Sequence, residues 1–267
     1  MLSSVYEANY AAWNQNVYEA WIQRFGTPKE AAEKIVKNPL GKLTNFFEYL
    51  EVSDIQGKKI MNLMGSHGMK AISLALLGAD VTIVDFSEGN ARYARELAEA
   101  AGVRITYIVK NVLDIQDEGL LGTFDYVFSE FGILHYFTDL SPYFAVVTKL
   151  LNMHGRMILQ DFHPVSTKLI SSRGTTHHIR KHKVTGDYFD TSVEETDISF
   201  SKYVEHEDQL EKVKLRKWTL GEIVTSIANA GLMIRLLHEH PNLSSDVFDK
   251  GIPKSFTIAA EKIPFTI

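Results

Sequence analysis

The alternation of short apolar runs with helical segments from Gln56 onward limits the fold of this chain more than any other feature. Ser87 and Thr219 suit the N-caps of two of these helices. Gly102 and Gly231 follow their last periodic residues, where glycine commonly ends a helix. Strands that alternate with helices predict a parallel sheet covered by helices on both faces. The runs that we expect to form strands are KIMNLM, DVTIVDF, RITYIVKN, FDYVFSE, GRMILQDF, LMIRLLHEH and KSFTIAAEK.

Two regions lie outside this alternation, so we divide the chain into a core and two additions. Residues 1–55 are expected to form an N-terminal helical cap. Residues 164–217 are expected to form an insertion, or lid, with a β-hairpin of its own. The core then comprises residues 56–163 and 218–267, and all three parts belong to one structural domain.

The N-terminal cap carries aromatic residues at helical spacing. One shared helix face is predicted by the positions of Tyr10, Trp13, Val17 and Trp21. The simpler interpretation is that this face packs on the core. The functional alternative is that the helix closes over a ligand, which makes Tyr10 and Trp13 candidate substrate contacts.

Charge and composition exclude several classes of function. The net charge of -5 gives no overall attraction to nucleic acid or to anionic lipid. The chain has no cysteine, so disulfides, thiolate metal sites and cysteine nucleophiles are excluded. We see neither a signal-peptide pattern nor an apolar run long enough to span a membrane. A cytoplasmic protein is therefore expected; its oligomeric state, a homodimer included, stays open.

The turn after the first strand raises the question of a nucleotide ligand. An open parallel sheet binds ligands at the carboxyl ends of its strands, and Asp85 ends the second strand. A carboxylate there can accept from both hydroxyls of a ribose. A pyrophosphate would favour the pattern G-x-G-x-x-G, whereas the turn has only Gly65 and Gly68. An adenosine ligand without a pyrophosphate is therefore favoured over a dinucleotide, with a purely structural turn as the alternative.

The motifs, taken in order, resemble those of class I S-adenosylmethionine-dependent methyltransferases. The family pattern acidic-x-G-x-G-x-G falls on NLMGSHG, and the acid after the second strand falls on Asp85. KNVLDI, FDYVFSEFGILHYF and LLNMHGRMILQDF resemble the segments at the third, fourth and fifth strands. RKWTLGEIVTSIANAGLMIRLLHEHP and PKSFTIAAEK resemble the last helix and the last two strands. The resemblance covers residues 56–163 and 215–262.

The resemblance implies an α/β fold, a Rossmann-like doubly wound sheet of seven strands in the order 3-2-1-4-5-7-6, with strand 7 antiparallel. It also implies S-adenosylmethionine as the cofactor, a small-molecule methyl acceptor and no nucleic-acid partner. Asp85 would hold the ribose, Asn111 would face the adenine, and Glu130 would lie near the methionine part. The full set of implied cofactor residues is Asn62, Met64, Gly65, Ser66, Gly68, Asp85, Phe86, Asn111, Val112, Leu113, Glu130 and Phe131.

The sequence departs from the family pattern at three of these positions. Asn62 stands where the family has an acid and carries no charge. Met64 and Ser66 stand where the family has glycines, and their Cβ atoms disfavour a positive φ.

Candidates for the acceptor side lie after the fourth and fifth strands. His135 is a candidate general base with Tyr136 beside it, and Asp161 and His163 are candidate acceptor contacts. Each also has a structural interpretation as a hydrogen-bonding residue near the end of a strand. We expect no metal ion, because no carboxylate accompanies the histidines of the basic stretch from Lys168 to Gly186. That stretch suits either an anionic acceptor or a solvated loop.

Three functions stay open from the sequence. The first is methyl transfer from S-adenosylmethionine to a small molecule. The second is a protein on the same fold that binds S-adenosylmethionine or a nucleoside without catalysis. The third is an NAD(P)-dependent oxidoreductase, which the missing phosphate-binding glycines disfavour.

Overall fold

A computed structural model describes residues 4–43, 47–50, 55–173, 181–204, 210–242 and 251–264. Its helices are α1 (Ser4–Trp13), α2 (Val17–Phe25), α3 (Pro28–Lys37), α4 (Met69–Leu76), α5 (Glu88–Ala101), α6 (Ser141–Leu150) and α7 (Leu220–Asn229). Its strands are β1 (Lys59–Leu63), β2 (Asp80–Asp85), β3 (Thr106–Val109), β4 (Phe124–Glu130), β5 (Leu151–Phe162), β6 (Ile170–Arg173), β7 (Lys181–Val184), β8 (Val193–Thr196), β9 (Val213–Arg216), β10 (Leu232–Pro241) and β11 (Pro253–Lys262). None of the described helices combines the length and the apolar character that crossing a bilayer requires.

In the described residues, seven strands form one sheet in the order β3-β2-β1-β4-β5-β11-β10. Numbered along the core, with β10 as strand 6 and β11 as strand 7, this is the predicted order 3-2-1-4-5-7-6. β1 runs parallel to β2 and β4, and β11 runs antiparallel to both β5 and β10. The predicted fold class is therefore confirmed. β6 pairs with β7 and β8 pairs with β9, so the segment between β5 and α7 contains two separate two-stranded sheets.

The central strands are apolar on both faces because helices cover both faces of the sheet. After Lys59, every residue of β1 is buried. On one face, α6 and α7 pack their apolar residues onto the sheet, for example Phe144 and Ile227. On the other face, α4 and α5 contribute small residues such as Ala71 and Ala94, which let the helices approach closely.

The strand boundaries predicted from the sequence are close to those observed, with β5 as the main exception. The sequence predicts its start at Gly155, whereas the strand begins at Leu151. The additional residues pair with β4 across an irregular register, and His154 has a φ of 65°. A β-bulge of this kind interrupts the alternating pattern that marks a strand in the sequence.

The N-terminal aromatic segment forms two helices, so the prediction of one shared helix face is wrong. α1 ends at Trp13 and α2 begins at Val17, with Asn16 in the left-handed conformation at φ 48°. Asparagine tolerates this conformation better than most residues do. The side-chain amide of Asn14 also donates to the carbonyl of Tyr10 at 2.9 Å, which helps to end α1.

The first helix is attached to the segment that follows β5. The buried Asn9 side chain pairs with the backbone of Lys214 in β9: its amide donates to the carbonyl oxygen at 2.9 Å, and its oxygen accepts from the N–H at 2.7 Å. Ser87, the N-cap of α5, donates its hydroxyl hydrogen to the carbonyl of Trp13 at 2.8 Å. α1 is therefore held against both the core and β9.

Candidate functional site

An open cavity lies at the carboxyl ends of β1, β2 and β3, and its empty space, with the open solvent at its mouth included, is about 770 Å³. Parallel strands bring the residues that follow them to this edge, which is where such sheets bind ligands. Residues of α1 and residues after β4 form the other walls. We call this space the edge cavity; its lining residues are Val5, Tyr6, Asn9, Met64, Asp85, Phe86, Lys110, Asn111, Val112, Leu113, Tyr136, Phe137, Thr138, Asp139 and Pro142.

The edge cavity brings together many of the residues that the sequence predicts for the cofactor. From that set, the lining includes Met64, Asp85, Phe86, Asn111, Val112 and Leu113. Other members lie in the adjoining turn, at Gly65, Ser66 and Gly68. The remaining members lie outside the lining, in or directly after β1 and β4: Asn62, Glu130 and Phe131.

Asp85 is a buried carboxylate that accepts three hydrogen bonds from the protein. Its Oδ2 accepts from the N–H of Ser66 at 3.1 Å, and its Oδ1 accepts from the N–H of Ser87 at 2.9 Å. The Oδ1 atom also accepts from the side-chain amide of Asn90 at 3.2 Å. Burial raises the pKa of the Asp85 carboxyl, while these three hydrogen bonds act in the opposite direction. Asp85 therefore fixes the turn after β1 and the start of α5.

The turn after β1 keeps the backbone of a glycine-rich loop with only two glycines. Met64, Ser66 and Gly68 have φ values of 52°, 48° and 72°, all in the left-handed region. Two of these residues carry a Cβ atom, which makes that region costly. Gly65 has a different role, because a Cβ there would lie 2.4 Å from Oδ1 of Asn62. The family's glycine positions thus coincide with the left-handed residues, and Gly65 is needed for close approach.

His67, which the sequence did not single out, ties this turn to the N-terminal helices. Its ring makes edge contacts with Trp21 at 5.0 Å and with Phe25 at 4.8 Å between centroids. Its Nδ1 accepts from the N–H of Met69 at 3.3 Å. Burial, assisted by nearby cations, lowers the pKa of His67 to about 3, so its ring is neutral in ordinary buffers. A histidine in a turn carries no sequence signal of this packing.

The wall formed after β3 is apolar and ordered by a side-chain cap. Oδ1 of Asn111 accepts from the N–H of Leu113 at 3.0 Å and caps a short 3₁₀ turn. The side-chain amide of Asn111 is therefore directed to the backbone of its own turn. Val112 is buried and Leu113 is partly buried. The segment therefore offers an apolar surface beside Asp85.

α1 contributes aromatic rings to the opposite wall. Tyr6 lines the edge cavity, and its ring lies 6.0 Å from that of Phe86. Tyr10 lies 5.6 Å from the same Phe86 ring but is outside the lining. Trp13 donates its indole N–H to the hydroxyl oxygen of Tyr136 at 2.9 Å. Of the predicted aromatic contacts, Tyr10 and Trp13 thus lie outside the lining, whereas Tyr6, which the sequence did not single out, is part of it.

The two candidate catalytic residues are neighbours with different environments. Tyr136 lines the edge cavity, and burial raises the pKa of its phenol. The His135 ring lies 4.5 Å from the ring of Tyr136 and is outside the lining. Burial lowers the pKa of His135, and Asp161 opposes that shift. His135 is therefore expected to be a neutral base near pH 7.

Asp161 and His163 have well-defined structural partners. Asp161 accepts from the backbone N–H groups of Gly132 at 2.6 Å and Leu134 at 3.2 Å, so it holds the turn that carries His135. His163 donates from Nε2 to Glu239 at 2.7 Å, while its Nδ1 accepts from the N–H of Val165 at 3.1 Å. Neither residue lines the edge cavity. These contacts favour structural roles over contact with the acceptor.

An ion pair that the sequence did not predict joins the start of α4 to the end of β4. Lys70, in the first turn of α4, binds Glu130, the last residue of β4. Burial raises the pKa of Glu130, and Lys70 opposes this shift. Asn62 donates its amide to the carbonyl of Phe128 at 3.4 Å. Phe131 is 40% exposed with a φ of 44°.

Metal-ligating residues do not cluster in the described part of the chain. No group of three His, Asp or Glu side chains is arranged there to hold an ion. His178, in the basic stretch, lies outside the described residues.

Comparisons with known proteins address the family and the fold. Residues 60–155 match the model of a family described as a methyltransferase domain. A search of curated proteins found no match to this sequence. An S-adenosylmethionine-dependent methyltransferase from Mesorhizobium loti is 19% identical, with 78% of this chain and 92% of that chain covered and a TM-score of 0.60.

Two further solved structures resemble the whole fold. A candidate S-adenosylmethionine-dependent methyltransferase from Listeria monocytogenes is 22% identical, with 84% of this chain and 99% of that chain covered and a TM-score of 0.63. Magnesium protoporphyrin IX methyltransferase from Synechocystis, solved with bound SAH, is 14% identical, with coverages of 96% and 98% and a TM-score of 0.55. The domain match and the shared fold confirm the resemblance to class I methyltransferases that the motifs predict.

The left-handed turn yields a stability prediction. Ser66→Gly should raise the free energy of unfolding by up to about 1 kcal/mol, because glycine removes the strain of a Cβ at positive φ. Ser226→Gly, in the middle of α7, is the matched control and should lower it by about 0.5 kcal/mol. Chemical denaturation of the three proteins measures both changes. An equal loss in the two variants would contradict a left-handed Ser66.

Proposed function

We propose that this protein is an S-adenosylmethionine-dependent methyltransferase that acts on a small molecule. The observation that carries the proposal is the edge cavity, in which a buried carboxylate, Asp85, faces the apolar wall of Val112 and Leu113. The chemistry of these walls suits a nucleoside: the apolar residues suit a base, and the carboxylate suits a ribose hydroxyl. S-adenosylmethionine is the cofactor, and it supplies a methyl group activated by a sulfonium.

Asp85 would bind the ribose through an acceptor position on its carboxylate that no protein donor occupies. A carboxylate has about four acceptor positions, and the protein's own donors occupy three. We therefore expect one strong hydrogen bond from the ribose rather than two. Phe86 and Asn111 would border the nucleoside, and the turn at residues 64–68 would face the methionine part together with Glu130 and Phe131.

On the acceptor side, His135 is the proposed general base, and Tyr136 the proposed contact. A neutral imidazole can take a proton from an acceptor hydroxyl or amine as the methyl is transferred. The indole N–H of Trp13 fixes the phenol oxygen of Tyr136. α1 covers this side of the cavity, which favours a small acceptor over a macromolecule. The protein would further accelerate methyl transfer by aligning the acceptor with the methyl group and by excluding water.

A second candidate function is cofactor binding without methyl transfer. It is favoured by the neutral Asn62 at the family's acidic position and by the protein donors that already occupy Asp85. The two functions differ in one observable, which is whether the methyl group ever leaves the bound cofactor.

The cofactor proposal predicts a specific binding pattern. Calorimetric titration should show micromolar binding of S-adenosylmethionine and S-adenosylhomocysteine and no binding of NADH. Leu113→Trp should abolish binding of the first two, because the indole would occupy the part of the edge cavity beside Val112 where the base is expected to lie. The control, Met153→Trp, adds the same ring at a 53% exposed position in β5 and should bind as the wild type does. Absence of binding to the wild type would overturn the proposal.

The general-base proposal predicts a pH dependence. The acceptor, found by screening with methyl-labelled cofactor, should be methylated at a rate that falls as the pH drops below the lowered pKa of His135, because the protonated ring cannot accept a proton. His135→Gln should slow turnover by about 100-fold or more and leave cofactor affinity unchanged. Unchanged turnover in this variant would exclude His135 as the base.

A further inference from the structure

Two histidines and a tyrosine meet at β10, at the opposite end of the sheet from β3. His238 and His240 lie two residues apart in this strand, so both side chains point to the same face of the sheet. Tyr49 ends a short 3₁₀ turn that follows the N-terminal helices, 189 positions before His238. None of the three residues lines the edge cavity, so the proposed function gives them no role.

The ring nitrogens of the two histidines converge on the phenol oxygen of Tyr49. That oxygen lies 2.9 Å from Nδ1 of His238 and 3.2 Å from Nε2 of His240. The two imidazole rings are packed together, with 4.2 Å between their centroids. A tetrahedral ion with bonds of about 2.0–2.1 Å holds neighbouring ligand atoms about 3.3 Å apart. The observed separations are close to this value, so the three donor atoms lie near the positions that one ion requires.

The sheet supports this cluster and leaves it open to solvent on one side. Nε2 of His240 also lies 3.3 Å from Oγ1 of Thr257 in β11, and that oxygen accepts from the side-chain amide of Gln160 at 3.0 Å. His240 and Tyr49 are partly buried, whereas His238 is exposed. A metal site needs rigid supporting elements and an entry path, and the cluster has both.

The charges around the cluster favour a metal ion over additional protons. Burial and the neighbouring ring of His238 lower the pKa of His240, and the Glu48 carboxylate opposes this shift. The His240 imidazole is therefore neutral near pH 7, which is the form that binds a metal ion. Burial and Glu48 raise the pKa of Tyr49 to about 12. An ion that binds the phenol oxygen would therefore displace its proton to solvent.

We propose that Nδ1 of His238, Nε2 of His240 and the phenol oxygen of Tyr49 bind a divalent transition-metal ion. Imidazole ligands favour Zn²⁺, Cu²⁺ and Ni²⁺, whereas Mg²⁺ and Ca²⁺ prefer oxygen ligands. The exposed side of the site leaves the fourth position of a tetrahedral ion to water. The bound ion would join the 3₁₀ turn at residues 47–49 to β10, and its role would be structural.

The phenol donor distinguishes this site from the arrangements considered above. The described residues contain no group of three His, Asp or Glu side chains arranged for an ion, whereas here the third donor is a tyrosine. The site is also separate in sequence from the histidines of the basic stretch, for which we expect no ion.

Calorimetric titration of the full chain with Zn²⁺ tests the site directly. The wild type should bind one ion, and Zn²⁺ at a hundredfold excess over its Kd should raise the Tm by about 5 °C. His238→Gln, His240→Gln and Tyr49→Phe should each weaken Zn²⁺ binding by about tenfold or more. Because Tyr49→Phe keeps the aromatic ring, a loss of affinity in this variant reports on the phenol oxygen.

His154→Gln is the matched control for the loss of a histidine. It removes an exposed imidazole that contacts Glu261 at 3.0 Å, and it should bind Zn²⁺ as the wild type does. Circular dichroism and the Tm without Zn²⁺ show whether each variant is folded, and these readouts do not depend on the proposed function.

Each other outcome would overturn the site. A wild type without saturable Zn²⁺ binding would do so, and so would unchanged affinity in either variant of His238 or His240. Unchanged affinity in Tyr49→Phe alone would leave the phenol as a hydrogen-bonding partner and remove the three-donor site. An equal loss in His154→Gln would indicate adventitious binding to surface histidines.

Discussion

The site depends on one buried carboxylate, that of Asp85. It accepts from the turn after β1 and from the start of α5, so a single side chain sets the positions of two elements on either side of the edge cavity. Asn90 extends this network, because its amide donates to Asp85 while its oxygen accepts from the indole of Trp21 at 2.7 Å. A buried charge is tolerated only with such partners. The network therefore joins the central sheet to the N-terminal helices.

The turn after β1 shows how a glycine pattern can be lost while its backbone shape is retained. Met64 and Ser66 adopt the left-handed conformation although they are not glycines. This conformation strains the backbone, and the surrounding contacts must offset that strain. The hydroxyl of Tyr107 donates to the carbonyl of Ser66 at 2.9 Å, and Asp85 accepts from its N–H. His67 packs between aromatic rings of α2. Contacts around the turn thus hold Met64 and Ser66 at positive φ. Glycines would adopt this conformation without such contacts.

Sequence alone predicted the sheet well because its evidence is local and repeated. Most strands are short apolar runs, and the N-caps at Ser87 and Thr219 form as expected. The break at Asn16 was not predicted, since a left-handed asparagine inside an apolar helical spacing has no distinct pattern.

The candidate site was predictable where residues directly follow strands, as Asp85 and Asn111 do. Contacts between distant segments were not predictable. Lys70 binds a residue 60 positions away, and Asn9 binds a backbone 205 positions away. Asp161 illustrates this for a strand end: its position predicts acceptor contact, and its carboxylate accepts from backbone N–H groups that the sequence did not indicate. A place at the end of a strand thus predicts that a residue lies at the binding edge of the sheet. It does not predict which group the side chain contacts there.

The measurement that tests the central claim most directly is a crystal structure of the protein with S-adenosylhomocysteine. The account predicts the adenine against Val112 and Leu113, a ribose hydroxyl on Asp85, and the turn at residues 64–68 unchanged in its left-handed conformation. A nucleoside bound outside the edge cavity, or a turn rebuilt around the ligand, would contradict it.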